Sequence, residues 1–74
     1  MNLQMWTVYD NPRDYPGCYV ARLFEVDASG VAQTSSVVIS KDLEVLRHFL
    51  QFEMNLTCLT RSPEDDAKVV ETWL

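Results

Sequence analysis

Strand-type runs, β-branched, aromatic or alternating, fill much of the first half of the chain, give way once to helical spacing, and return near its end. Leu3 to Tyr9 is rich in aromatic and β-branched residues, Trp6, Val8 and Tyr9 among them, and it stops at Asp10-Asn11-Pro12. That pattern predicts a first strand ended by a turn. Asn11-Pro12-Arg13-Asp14-Tyr15-Pro16-Gly17 follows, with two of the three prolines and one of the two glycines, and reads as an irregular but ordered connection. From Cys18 to Asp27, Cys18, Val20, Phe24 and Val26 share one parity while Tyr19, Leu23 and Glu25 share the other, as in a strand. Arg22 interrupts the first set. Ala28-Ser29-Gly30 is a turn signal, and Val31 to Ser40, dominated by Val, Thr and Ser, completes a hairpin with the strand before it.

Beyond Ser40 the period changes. Ser40 reads as a helix cap with Asp42 and Glu44 in the first turn, and Leu43, Leu46, Phe49, Leu50 and Met54 recur at helical spacing. Val45 and Phe52 widen that apolar face, whereas Glu44, Arg47, His48 and Gln51 fall on or near the polar side. Asn55 is the expected terminator. Leu56 to Thr60 predicts a short fourth strand, and Arg61-Ser62-Pro63 opens an acidic turn. The last segment reads in two ways. Ser62-Pro63-Glu64-Asp65 has the form of a helix start, and Val69, Val70, Trp73 and Leu74 would share one helical face. A strand from Lys68 is favoured, because Val-Val and Thr-Trp suit a pleated surface and a terminal helix this short is marginal. Either way, an ending on Trp73-Leu74 is expected to be tied into the core.

The predicted fold class is therefore α+β: an antiparallel sheet of four to five strands with one amphipathic helix packed on one face, in the order three strands, helix, two strands. A chain of 74 residues holds one such domain, spanning residues 1–74, in the range where a single core is only just sufficient. Apolar residues at 47% and charged residues at 23% exclude a disordered chain.

Charge narrows the partners. Six basic against eleven acidic residues leave a net charge of −5, which disfavours direct binding to nucleic acid and favours solubility or a basic protein partner. Met1-Asn2-Leu3-Gln4-Met5-Trp6 lacks the basic-then-apolar form of a leader, and no apolar run is long enough for a membrane span, so the expected location is the cytoplasm. In that compartment Cys18 and Cys58 are expected to be reduced, buried thiols. Two cysteines and one histidine are too few to close a four-ligand zinc site. Asn55-Leu56-Thr57 matches a glycosylation sequon that a cytoplasmic chain leaves unused.

Candidate chemistry is sparse. His48, the sole histidine, is expected to be a partly exposed helix residue and not a catalyst. Glu64, Asp65 and Asp66 form the one dense acidic run. They lack the glycine-containing loop of a calcium site, and read either as a solvated turn or as a contact for a partner's arginine and lysine groups. Trp6, Tyr9, Tyr15, Tyr19 and Trp73 could stack on bases, but they lack the dense interleaving of lysine and arginine that supplies the electrostatic half of a nucleic-acid site. Tyr15 sits in a loop, where an interface role competes with packing over the sheet edge. No catalytic residue, metal or cofactor is expected; the partner-binding candidates are Tyr15, Glu64, Asp65 and Asp66.

Met5-Trp6-Thr7-Val8-Tyr9-Asp10-Asn11-Pro12-Arg13-Asp14-Tyr15-Pro16, together with Pro63-Glu64-Asp65-Asp66 leading to Val69-Val70-Glu71-Thr72-Trp73-Leu74, resembles a family of small bacterial and prophage-encoded proteins. These motifs cover about a third of the chain. Between them the likeness is loose. The resembling proteins tend to carry a proline at the position of Ala67 and a Pro-Gly break where this chain has Phe52-Glu53-Met54-Asn55. A proline at the Ala67 position implies an extended segment there, in keeping with a terminal strand. The resemblance implies no activity.

The expected function is a non-enzymatic, small protein-binding or adaptor module. A homodimer is expected if the sheet face away from the helix carries Tyr19, Leu23 and part of the terminal strand, since such a face is too apolar to leave in water. The alternative is an acidic decoy inhibitor of prophage type, using Glu64, Asp65 and Asp66 to occupy the basic groove of a nucleic-acid-binding defence protein.

Overall fold

The computed structural model describes residues 3–59 and 68–74. They form β1 (Leu3–Asp10), β2 (Tyr19–Asp27), β3 (Gly30–Ser40), α1 (Leu43–His48), β4 (Cys58–Leu59) and β5 (Val69–Trp73), with α1 running directly into a π-helical turn at Phe49–Glu53. Every strand pairing is antiparallel, and the five strands lie in the order β3-β2-β1-β5-β4 with the helix on one face. The predicted α+β architecture is the observed one. The terminal segment is a strand, with Val69, Glu71 and Trp73 buried in strict alternation.

Cross-strand register decides which residues meet the helix. Trp6 lies opposite Leu23, Val8 opposite Ala21 and Asp10 opposite Tyr19, and directly opposed side chains share a face. Trp6, Val8, Ala21, Leu23 and Trp73 close on Leu46 and Leu50, with Tyr19, Val38, Leu43, Met54, Leu56 and Val70 packed around them. Burying Leu46 and Leu50 completely contributes about 1.5–3 kcal/mol each. Tyr19 and Leu23 therefore belong to the helix side, and the condition attached to the expected dimer, that they lie on the opposite face, is not met.

The helix itself departs from the sequence reading. Its N-cap is Asp42, whose carboxylate accepts the Glu44 N–H at 2.9 Å. Ser40 ends β3, and its hydroxyl accepts the Asp42 N–H at 3.1 Å. Leu43, Leu46, Leu50 and Met54 face inward, but Val45, Phe49 and Phe52 stand outward at 59%, 39% and 65% exposure. At about 100° per residue Val45 and Phe49 already lie on the flank away from Leu43, Leu46 and Leu50, and Phe49 keeps a regular helical bond from its N–H to the Val45 carbonyl. The π turn begins only there, with the Met54 N–H bonded to the Phe49 carbonyl at 3.2 Å, five residues back. Asn55 then ends the element in a left-handed conformation, φ 56°, as its side chain favours.

The β1–β2 connection covers part of the second sheet face. Arg22 lies on that face, opposite Thr7, and its Nη2 donates to both carboxylate oxygens of Asp14 at 2.5 Å. The guanidinium sits 5.7 Å from the Tyr9 ring centre and 5.9 Å from that of Tyr15, within cation–π range. This contact holds the Asp14 carboxyl below the usual carboxylate range. The connection is ordered internally as well: Asn11 Oδ1 accepts the Gly17 N–H at 2.7 Å, and Gly17 takes the positive φ, 75°, that glycine tolerates. Pro12 of the connection is buried, as are Thr7 and Val20 of the strands it joins. Leu74, expected to be buried, is 38% exposed, but its backbone is tied into the sheet by exchanging both hydrogen bonds with Thr57, at 2.8 and 3.0 Å.

Candidate functional site

Strand alternation places a carboxylate in the core. Glu71 shares parity with Trp73 and lies opposite the fully buried Val8, and it is only 5% exposed. A charge in that position needs compensation from every side. Arg47, one turn along the helix from Glu44, donates from Nε to Glu71 Oε1 at 2.8 Å and from Nη1 to Glu44 Oε1 at 2.9 Å. Trp73 Nε1 donates to Glu71 Oε2 at 2.6 Å. Pairing of Cys58 with Trp73 across β4 and β5 brings a third donor, and Cys58 Sγ reaches the same oxygen at 3.3 Å. One carboxylate thus joins the helix, the terminal strand and the edge strand. The Glu71 hydrogen bond is also the main reason that the Arg47 pKa is raised.

These groups open onto a cleft of about 370 Å3, which His48, Gln51 and Phe52 complete. Cys58 as a residue is exposed on the edge strand, yet its sulfur turns inward. Desolvation there, then the neighbouring Glu71 carboxylate, push the thiol up to about 11. A nucleophilic cysteine needs the opposite shift, so the arrangement makes Cys58 a hydrogen-bond donor and not a thiolate. His48 is exposed and rests on Phe52, with ring centroids 4.7 Å apart and planes tilted at 44°. Among the described residues, no three His, Cys, Asp or Glu side chains converge as metal ligands, and no helix is long and apolar enough to cross a membrane.

Alkylation by iodoacetamide at about pH 8 is expected to be roughly a hundredfold slower at Cys58 than at an unhindered cysteine in a peptide. Because the unfolded thiol ionises near its ordinary value of 9.0 and the folded one near about 11, the fold also loses stability as pH rises between those values. An alkylation rate equal to the peptide's would mean that the sulfur does not face Glu71.

The sequence-predicted candidates fall elsewhere. Tyr15 is half-buried against Arg22 on the second sheet face, away from the cleft. Glu64, Asp65 and Asp66 lie outside the described residues. Glu71 was not among the candidates, although one signal pointed to it: an acid at the same parity as Val69 and Trp73 in an otherwise apolar terminal strand. Beside the cleft, the outward helix face presents Val45, Phe49 and Phe52 at i, i+4 and i+7, which makes one contiguous stripe. Comparison of the chain with protein-family models, with curated proteins and with solved structures gave no match.

Proposed function

We propose that this chain is a non-enzymatic protein-binding module whose contact surface is the outward face of the helix. The observation that carries this reading is the stripe of Val45, Phe49 and Phe52, three large apolar side chains that the core does not use. Beneath them the helix is anchored by Leu46, Leu50 and the Arg47–Glu71 pair, so the stripe is held as a rigid platform. Glu44 and Glu53 are exposed on the same helical segment, and with the net charge of −5 they favour a partner with a basic rim. A protonated Cys58 supports a binding role over a catalytic one.

Capture of the tagged chain from its native host, with mass spectrometry, tests this reading when two variants are run beside it. A Val45→Ser/Phe52→Ser double variant is expected to keep its melting temperature, since both side chains are already exposed, and to bind the captured partner about thirtyfold more weakly. A Glu64→Gln/Asp65→Asn/Asp66→Asn variant is expected to slow association and flatten its salt dependence without abolishing binding. Full binding by the double variant, with loss in the acidic variant, would replace the helix-face reading with the decoy reading. Absence of any stoichiometric partner would defeat both.

A further inference from the structure

We propose that two copies of this chain join along β3, antiparallel about a two-fold axis at Ser35, with Val31 of each copy against Ile39 of the other. β3 is one edge of the sheet and runs for eleven residues; the other edge, β4, has two. Edge strands are ordinarily protected by charge, proline, brevity or a bulge. β3 has only the last: Ala28 to Ser40 is the longest uncharged stretch of a chain with net charge −5, and it contains no proline. Two copies meeting along this stretch bring no like charges together.

The pattern along β3 is self-complementary. Arg22 lies opposite Val37 and Phe24 opposite Gln33, so Thr34, Ser35 and Ser36 bulge against the single residue Leu23. The bulge is pinned by Thr34 Oγ1, which donates to the Leu23 carbonyl at 3.0 Å and accepts the Ser36 N–H at 3.1 Å. It divides the outer edge into two four-residue halves. A straight foreign strand would lose register in the middle, but a second copy carries the same bulge at its own centre. Under the two-fold, each half pairs with the opposite half of the partner. Val31 and Ile39, the exposed large apolar side chains of this strand at 64% and 44%, stand equally far from Ser35 and on the same sheet face, so each covers the other.

Sedimentation equilibrium from about 10 µM to about 1 mM tests the proposal. The unmodified chain is expected to approach twice the 8.5 kDa of one chain, while its β3 amides exchange more slowly with rising concentration. Val31→Glu and Ile39→Lys, each at an exposed position, are expected to weaken the dimer about tenfold when studied alone, because each places a charge opposite an apolar residue at two symmetric sites. Mixing the two variants should restore it, since a mixed pair sets Glu against Lys at one site and leaves Ile against Val at the other. A chain that stays monomeric to about 1 mM overturns the proposal. So do a dimer indifferent to both variants, weakening without rescue on mixing, and β3 protection that appears only with a different captured protein. The Val45→Ser/Phe52→Ser variant is expected to dimerise normally, which separates this surface from the helix face.

Discussion

Removal of Val69–Leu74 is expected to leave an unfolded or aggregated chain. β5 lies between β1 and β4, so its loss strands the edge and exposes the flank of the central strand. Val69 and Trp73 are at least nine-tenths buried, and each contributes about 1.5–3 kcal/mol by burial alone. Trp6, which faces Trp73 across the ladder, would lose its neighbour, and Arg47 and Cys58 would lose the carboxylate that joins them. Against a total stability of about 5–15 kcal/mol, with a domain this small at the lower end, the sum is decisive. A soluble truncated chain with unchanged amide chemical-shift dispersion would show that the terminal strand is dispensable.

Glu71→Ala is expected to cost about 2–3 kcal/mol, a large loss for a polar substitution. It leaves the buried Trp73 N–H and the Cys58 thiol without their acceptor and opens a void beneath the helix. The ion pair itself adds less than a fully buried one, because the Arg47 side chain is 40% exposed and can turn to water or to Glu44. Glu71→Gln keeps an acceptor for the indole but sets an amide against the guanidinium, and should cost about 1–2 kcal/mol. In a domain of this length the alanine variant should melt roughly 10–20 °C lower. Equal melting temperatures for Glu71→Ala and the unmodified chain would mean that the carboxylate is not the joint between helix and sheet.

Much of the local structure was written in short-range pattern. Alternation from Cys18 to Asp27 and the β-branched run from Val31 to Ser40, with Ala28-Ser29-Gly30 between them, required only neighbouring residues to predict a hairpin. The same holds for Val69 to Trp73, where β-branched and aromatic residues outweighed the helix-start signal upstream of them. Tyr15 was legible as a loop aromatic with two possible roles, and the structure places its ring over Arg22, the residue that broke the parity of β2.

The sequence by itself determined the elements, their order and the buried terminal strand, because periodicity and turn chemistry act over a few residues. It could not choose between the two faces that alternation makes equivalent. Only the register of β1 against β2 sent Tyr19 and Leu23 to the helix and Arg22 to the loop. Nor could local pattern reveal the π turn from Phe49 to Glu53, or the insertion of β5 between β1 and β4. Glu71 and Arg47 are separated by 24 residues, and their contact exists because the sheet carries one under the helix that carries the other. The tertiary structure decided these points, since a buried charge and a side chain's face are settled by burial across the whole fold and not by neighbours in the chain.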